Sequence, residues 1–137
     1  MGMYTQLVFG ASINPEKYPE IEDTLNYILT GGNEPLELPN HEFFKTDRWR
    51  RLFTGDSHYF DFKTFSKITT YDYCDTVHIT IVSNIKNYNM EIQKFLNWID
   101  SYLDNSEGEF LGFFRYEENR EPTLIYKGSR FRYLPEE

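Results

Sequence analysis

Between Thr76 and Asn84 the apolar residues Val77, Ile79 and Ile81 alternate with Thr76, His78 and Thr80. An unbroken period of two puts successive side chains on opposite faces of an extended chain, so this run must be a strand with one buried and one open face. Other segments are predicted around it. Met3 to Ile13 alternates in the same way, with Leu7, Phe9, Ala11 and Ile13 on one side. Phe65 to Tyr73 forms a further strand, joined to Thr76–Asn84 by a tight hairpin at Cys74-Asp75. Ser57 to Phe62, with its dense aromatics, reads as one more. Phe110 to Glu117 and Thr123 to Lys127 flank a polar turn containing Asn119 and Pro122 and supply the last two.

Two stretches carry the helical period instead. Ile21, Leu25, Ile28 and Leu29 form one stripe behind Pro19 and the acids Glu20, Glu22 and Asp23, and Gly31-Gly32 supplies a left-handed stop. Ile92, Phe95, Leu96, Ile99 and Leu103 form the second stripe, with Asn89 as the expected cap and the end expected between Asn105 and Gly108. Two helices are too few for a doubly wound parallel sheet. The order predicts an α+β fold: an antiparallel sheet of about five to six strands with two helices packed on one face, similar to ferredoxin-like two-layer sandwiches. A chain of 137 residues suits one domain, placed at 1–129, with 130–137 as a loose C-terminal tail.

Pro39 to Tyr59 is the stretch that core building does not explain. It holds Arg48, Arg50, Arg51, Lys45, His41, His58 and a cluster of aromatics in a chain whose formal charge is −8. Within it Thr46 is expected to cap a short helix that turns Trp49, Leu52 and Phe53 one way and Arg48 and Arg51 another. The acidic balance disfavours extended nucleic acid, whereas a small anion held by local arginines is compatible with it. Guanidinium forks grip phosphates and aromatic faces stack on bases, so Arg48, Trp49, Arg51, Ser57, Tyr59, Asn87, Arg115 and Tyr116 are the candidate ligand-binding residues for a nucleotide-like anion. The bland alternative is a solvated arginine face paired with Glu42 and Asp47, with Trp49 in the core.

Catalytic and metal signals are sparse. Gly55-Asp56-Ser57-His58 resembles the serine-bearing block of lipase-like hydrolases, and Asp75-Thr76-Val77-His78 their Asp-x-x-His partner. Both lie mid-chain here, unlike the family pattern, and a capped turn and an outward strand histidine account for them. His78-Ile79-Thr80 matches one half of the His-x-Thr pair of two-histidine phosphoesterases, but His58-Tyr59-Phe60 and His41-Glu42-Phe43 lack the hydroxyl of the second half. His41, His58, His78 and Cys74 show no metal-ligand spacing, so no metal and no cofactor are expected. One cysteine, no charged-then-apolar opening segment and no membrane-length apolar run point to a cytoplasmic setting and no membrane partner.

The blocks Arg48-Trp49, Asp56-Ser57-His58-Tyr59-Phe60, Lys86-Asn87-Tyr88 with Glu91-Ile92, Phe95, Trp98-Ile99, and Arg115-Tyr116-Glu117 ahead of Pro122-Thr123 resemble short uncharacterised proteins encoded by phages and prophages. The resemblance implies a host-cell cytoplasmic setting and carries no catalytic residues. Small acidic phage proteins of this size resemble, in class, inhibitors of bacterial defence. The leading expectation is therefore a non-catalytic phage protein that sequesters a nucleotide-derived signal. The alternative is a protein-protein inhibitor whose acidic surface blocks a host defence protein, and the third reading is a small phosphodiesterase using His78 and Thr80. Exposed aromatics and free strand edges add a homodimer to the expected partners.

Overall fold

The computed structural model describes residues 3–71 and 75–128. In chain order these form β1 (Thr5–Ile13), α1 (Tyr18–Thr30), two 3-10 turns (Glu42–Lys45 and Trp49–Arg51), β2 (Phe65–Tyr71), β3 (Thr76–Ile85), α2 (Glu91–Ile99) running into a 3-10 turn at Asp100–Tyr102, β4 (Phe110–Tyr116) and β5 (Thr123–Tyr126). The strands make one sheet in the order β2-β3-β1-β4-β5, and every neighbouring pair is antiparallel. The protein is an α+β two-layer sandwich. Its first four strands follow the ferredoxin-like order, in which each helix joins two parallel strands across an antiparallel strand between them, and β5 extends the β4 edge.

Alternation sorts the strands' side chains. Leu7, Phe9, Ala11 and Ile13 of β1 and Val77, Ile79 and Ile81 of β3 are buried against Ile21, Leu25 and Ile28 of α1 and Ile92, Phe95 and Ile99 of α2. Each fully buried leucine, isoleucine or phenylalanine among them contributes about 1.5–3 kcal/mol relative to exposure. Tyr18 and Thr24 join the α1 stripe, whereas Leu29 is only half-buried. Helix α1 stops where expected: Gly31 adopts φ 73° and donates its N–H to the Tyr27 carbonyl at 2.8 Å.

Several expectations are corrected. Ser57 to Phe62 is an irregular segment, not a strand, so the described sheet has five strands. Its position beside the end of β3 is already taken: Gly55 accepts the Asn84 N–H at 3.0 Å, while Phe60 is buried and Tyr59 and Phe62 are exposed. Thr46 does not cap a following helix; it closes the first 3-10 turn, and its hydroxyl donates to the Phe43 carbonyl at 2.8 Å. Asn89 does not cap α2. Met90 is the boundary residue, at φ 58°, and the Asn87 side chain accepts the Ile92 N–H at 2.8 Å instead. Helix α2 also ends earlier than expected, at Ile99, because the chain tightens into the 3-10 turn and Leu103 continues in extended conformation. The predicted hairpin residue Cys74 and the 130–137 tail lie outside the described residues. Asp75 has φ 49°, and β2 and β3 pair up to Tyr71 opposite Thr76. Among the described residues no helix is long and apolar enough to cross a membrane.

His41 caps the first 3-10 turn by accepting the Phe43 N–H on Nδ1 at 3.1 Å, which requires that nitrogen to be unprotonated. Burial lowers the imidazole pKa from its ordinary 6.5, with Glu42 opposing the shift. A group depressed in the folded state contributes stability that is complete above its unfolded pKa and is lost as pH falls through the folded one. The urea midpoint should therefore decline on acidification below about pH 6.5. The His41→Asn variant, which keeps an acceptor but cannot gain that proton, should decline less over the same range.

Candidate functional site

The basic stretch is built into the fold by its apolar half. Phe43, Phe44, Trp49, Leu52 and Phe53 are all buried, and their rings mesh with α2. Phe43 stacks on Trp98 at a centroid distance of 6.1 Å, and Phe44 meets Trp98 edge-on at 4.9 Å. Leaving this cluster, the chain lies beside the end of β3. Ser83 donates its hydroxyl to the Leu52 carbonyl, and Gly55 sits so close to Asn84 that a methyl group there would overlap the Asn84 carbonyl oxygen. The charged half of the stretch is thereby held over the end of the sheet.

At this end a cleft of about 200 Å³ is lined by Arg48, Arg51, Lys86, Tyr4, Asn84 and Asp56 along with Gly55 and Ile85. Arg48, Arg51 and Lys86 form no ion pair among the described residues, whereas Arg50 pairs with Glu34 and Lys127 with Asp100. The Arg48 guanidinium lies over the Tyr88 ring at 4.9 Å, and the Lys86 ammonium stands 5.7 Å from the Tyr4 ring centre. Asp56, bonded by the Thr64 hydroxyl at 3.0 Å, is the cleft's one carboxylate. Asn84 is 1% exposed, and both polar atoms of its carboxamide are buried without a hydrogen-bond partner. An unpaired buried amide costs on the order of 1–3 kcal/mol, so a ligand that satisfied it would recover part of that cost.

Arg48 is fixed from behind. The Asp47 N–H donates to the Asn89 side chain at 3.3 Å, and the Arg48 N–H donates to Glu91 Oε2 at 3.1 Å. Glu91 is fully buried at the start of α2, and its other carboxylate oxygen accepts the Asn89 N–H at 3.1 Å. The positive end of the helix favours a carboxylate at this place.

The sequence candidates are thus divided. Arg48 and Arg51 converge. Trp49 is 1% exposed and faces Phe43, Phe44 and Tyr27, so it belongs to the core. Arg50, between them in sequence, is engaged elsewhere, donating to the Tyr27 hydroxyl at 3.2 Å and to Glu34 at 3.3 Å. These bonds, Tyr27's first, raise its pKa. Tyr59 is exposed, with its ring 5.9 Å from that of Tyr4 at the cleft. Ser57 accepts the Tyr59 N–H at 3.2 Å and so shapes that loop. Arg115 lines a neighbouring groove, its guanidinium over the Phe60 ring at 5.0 Å and donating to the Asn119 carbonyl at 2.9 Å. Asn87 and Tyr116 line a third hollow, of about 340 Å³, which Arg115 also borders, so three of the candidates meet there. The Asn87 amide is spent on Ile92 and Gln93, and desolvation followed by Glu118 and Glu117 raises the Tyr116 phenol.

Tyr4, Asn84, Lys86 and Asp56 are polar cleft residues that the sequence candidates lack. Nothing local distinguishes Asn84 from an ordinary outward strand residue, since its burial and missing partners arise from Gly55 packing beside it.

His78 stands apart from the cleft. His78 Nδ1 is 3.2 Å from Ser12 Oγ, and its ring meets Tyr71 edge-on. It lies six residues along β3 from Asn84, about 20 Å at the rise of a strand. No group of three or more histidine, cysteine or acidic side chains is placed to hold a metal among the described residues. No protein-family model, curated protein or solved structure matches the chain at a significant level.

Proposed function

We propose that this protein is a non-catalytic binding protein for a small phosphate-bearing, nucleotide-like anion, held in the cleft of Arg48, Arg51 and Lys86. The observation that carries this reading is the gathering of three cations without ion-pair partners around a buried, unpartnered carboxamide, in a chain of net charge −8. Like charges are costly to hold together unless something of opposite sign completes them, and Asp56 offsets only one. Arginine supplies planar donor forks matched to phosphate, lysine a compact third charge, and Asn84 an amide with two N–H donors and a carbonyl acceptor for a neutral polar edge. Tyr4 and Tyr59 give flat surfaces beside it. Sequestration of a nucleotide-derived signal, the role implied by the resemblance to phage proteins, is the biological form this binding would take.

Calorimetric titration with inorganic pyrophosphate, AMP and chloride tests the reading. Saturable binding of the two phosphate compounds at low ionic strength, weakening as salt rises and absent with chloride, is the expected result. No heat with either phosphate compound at millimolar concentration would remove the proposal.

A further inference from the structure

We infer that the cleft is one end of a longer site, and that its ligand carries two anionic groups on either side of a planar ring, as a dinucleotide does. This rests on the anion reading of the cleft and extends it along the outer face of the sheet. Asn84 of β3, Gln6 of β1 and Arg115 of β4 are register partners, so they form one row across three adjacent strands on the face opposite the helices, with Asn84 and Gln6 themselves buried as the floor beneath the loop that carries Tyr59 and Phe60. Asn84 lines the cationic cleft. Gln6 and Arg115 line a groove of about 320 Å³, together with Arg120, Tyr59 and Phe60.

The two hollows meet at a pair of rings. Tyr4 borders the cleft, Tyr59 borders the groove, and their centroids are 5.9 Å apart at an interplanar angle of 37°. At a strand spacing of about 4.8 Å, the row from Asn84 to Arg115 spans roughly 10 Å. Each end is cationic: Arg48, Arg51 and Lys86 at one, Arg115 and Arg120 at the other. Arg120 is exposed and forms no ion pair with a described residue. Among the lining residues each end also has one carboxylate, Asp56 against three cations and Asp61 against two.

A single phosphate would occupy one end and leave Arg120, beside an Arg115 already bonded to the Asn119 carbonyl, and the exposed Tyr59 face unused. A base lying against Tyr59, with a phosphate on each side, uses both. Stacking on one aromatic side chain and one additional arginine–phosphate contact are each worth about tenfold or more in affinity.

The test compares AMP with the linear diadenylate bearing a 5′-phosphate, titrated into the full chain and into Arg120→Ala and Tyr59→Ala. Both positions are exposed, so the variants should fold, which unchanged melting temperatures would verify. The expected result is that the diadenylate binds at least about tenfold more tightly than AMP. Arg120→Ala should remove most of that advantage while leaving AMP affinity unchanged, and Tyr59→Ala should weaken the diadenylate by about tenfold. Equal affinity for the two ligands, or a diadenylate advantage that survives Arg120→Ala, would overturn the two-ended site while leaving the cleft as a phosphate site. Failure of AMP and pyrophosphate alike to bind would overturn the cleft reading, and this inference with it.

Discussion

Replacing Arg48 and Arg51 together by alanine is expected to weaken binding of pyrophosphate or AMP by about 10²- to 10³-fold, measured by calorimetry at constant salt. Hydrogen bonds to charged groups contribute about 1.5–3 kcal/mol each, and the two arginines share one ligand, so their effects should combine to less than the simple sum. The loss should come without loss of the fold. Both side chains line the cleft, neither forms an ion pair among the described residues, and removing two like charges beside Lys86 relieves repulsion in the empty protein. The Arg48 backbone remains available to Glu91 in the variant, because that bond uses the N–H and not the guanidinium. Arg50→Ala is the matched control: its side chain is committed to Tyr27 and Glu34, and affinity should be unchanged. A double variant that binds as tightly as the parent would eliminate the cleft as the site.

Trp49→Ala should give the largest loss of stability, about 3–5 kcal/mol in urea unfolding, as for other large-to-small changes of buried aromatics. Against a total stability of roughly 5–15 kcal/mol this is a large share, and it should lower the melting temperature by on the order of 10 °C or more. The ring is 1% exposed, with Phe44 at 5.0 Å, Tyr27 at 5.9 Å, Phe43 at 6.2 Å and the Arg50 guanidinium 4.5 Å above its face. Trp49→Phe retains part of this packing and should lose less. It should also keep the parent's ligand affinity, because the tryptophan ring faces the core. Loss of binding in a folded Trp49→Phe protein would instead assign the ring to the ligand.

The strands β1, β3, β4 and the helix α1 were legible because each carries a local signature: a period of two or of 3.6, a proline near the start, or a glycine at a left-handed stop. Ser57–Phe62 misled for the same reason. Its aromatics imitate strand composition, yet Phe60 is buried beside Gln6 and Arg115 under the outer face of the sheet while its neighbours Tyr59 and Phe62 point to solvent. In the candidate site, Arg48 and Arg51 were visible as charge density in an acidic chain. Whether a guanidinium meets a cleft or a local acid was not, and Arg50 shows the second outcome between two examples of the first. Asn84 and Tyr4 were invisible because each looks like an ordinary strand residue, and Lys86 because a lysine just past a strand is commonplace.

By itself, then, the amino-acid order determined which residues face the core of this protein and that two helices cover one side of an antiparallel sheet. Those features depend on neighbours a few positions apart. Only the tertiary structure decided that β3 and β4 flank β1, that Gly55 lies against Asn84, and that Arg48, Arg51 and Lys86 share a cleft. Those outcomes come from strand register and from where a large aromatic cluster can be packed, which bring together residues far apart in the chain and leave no periodic trace along it.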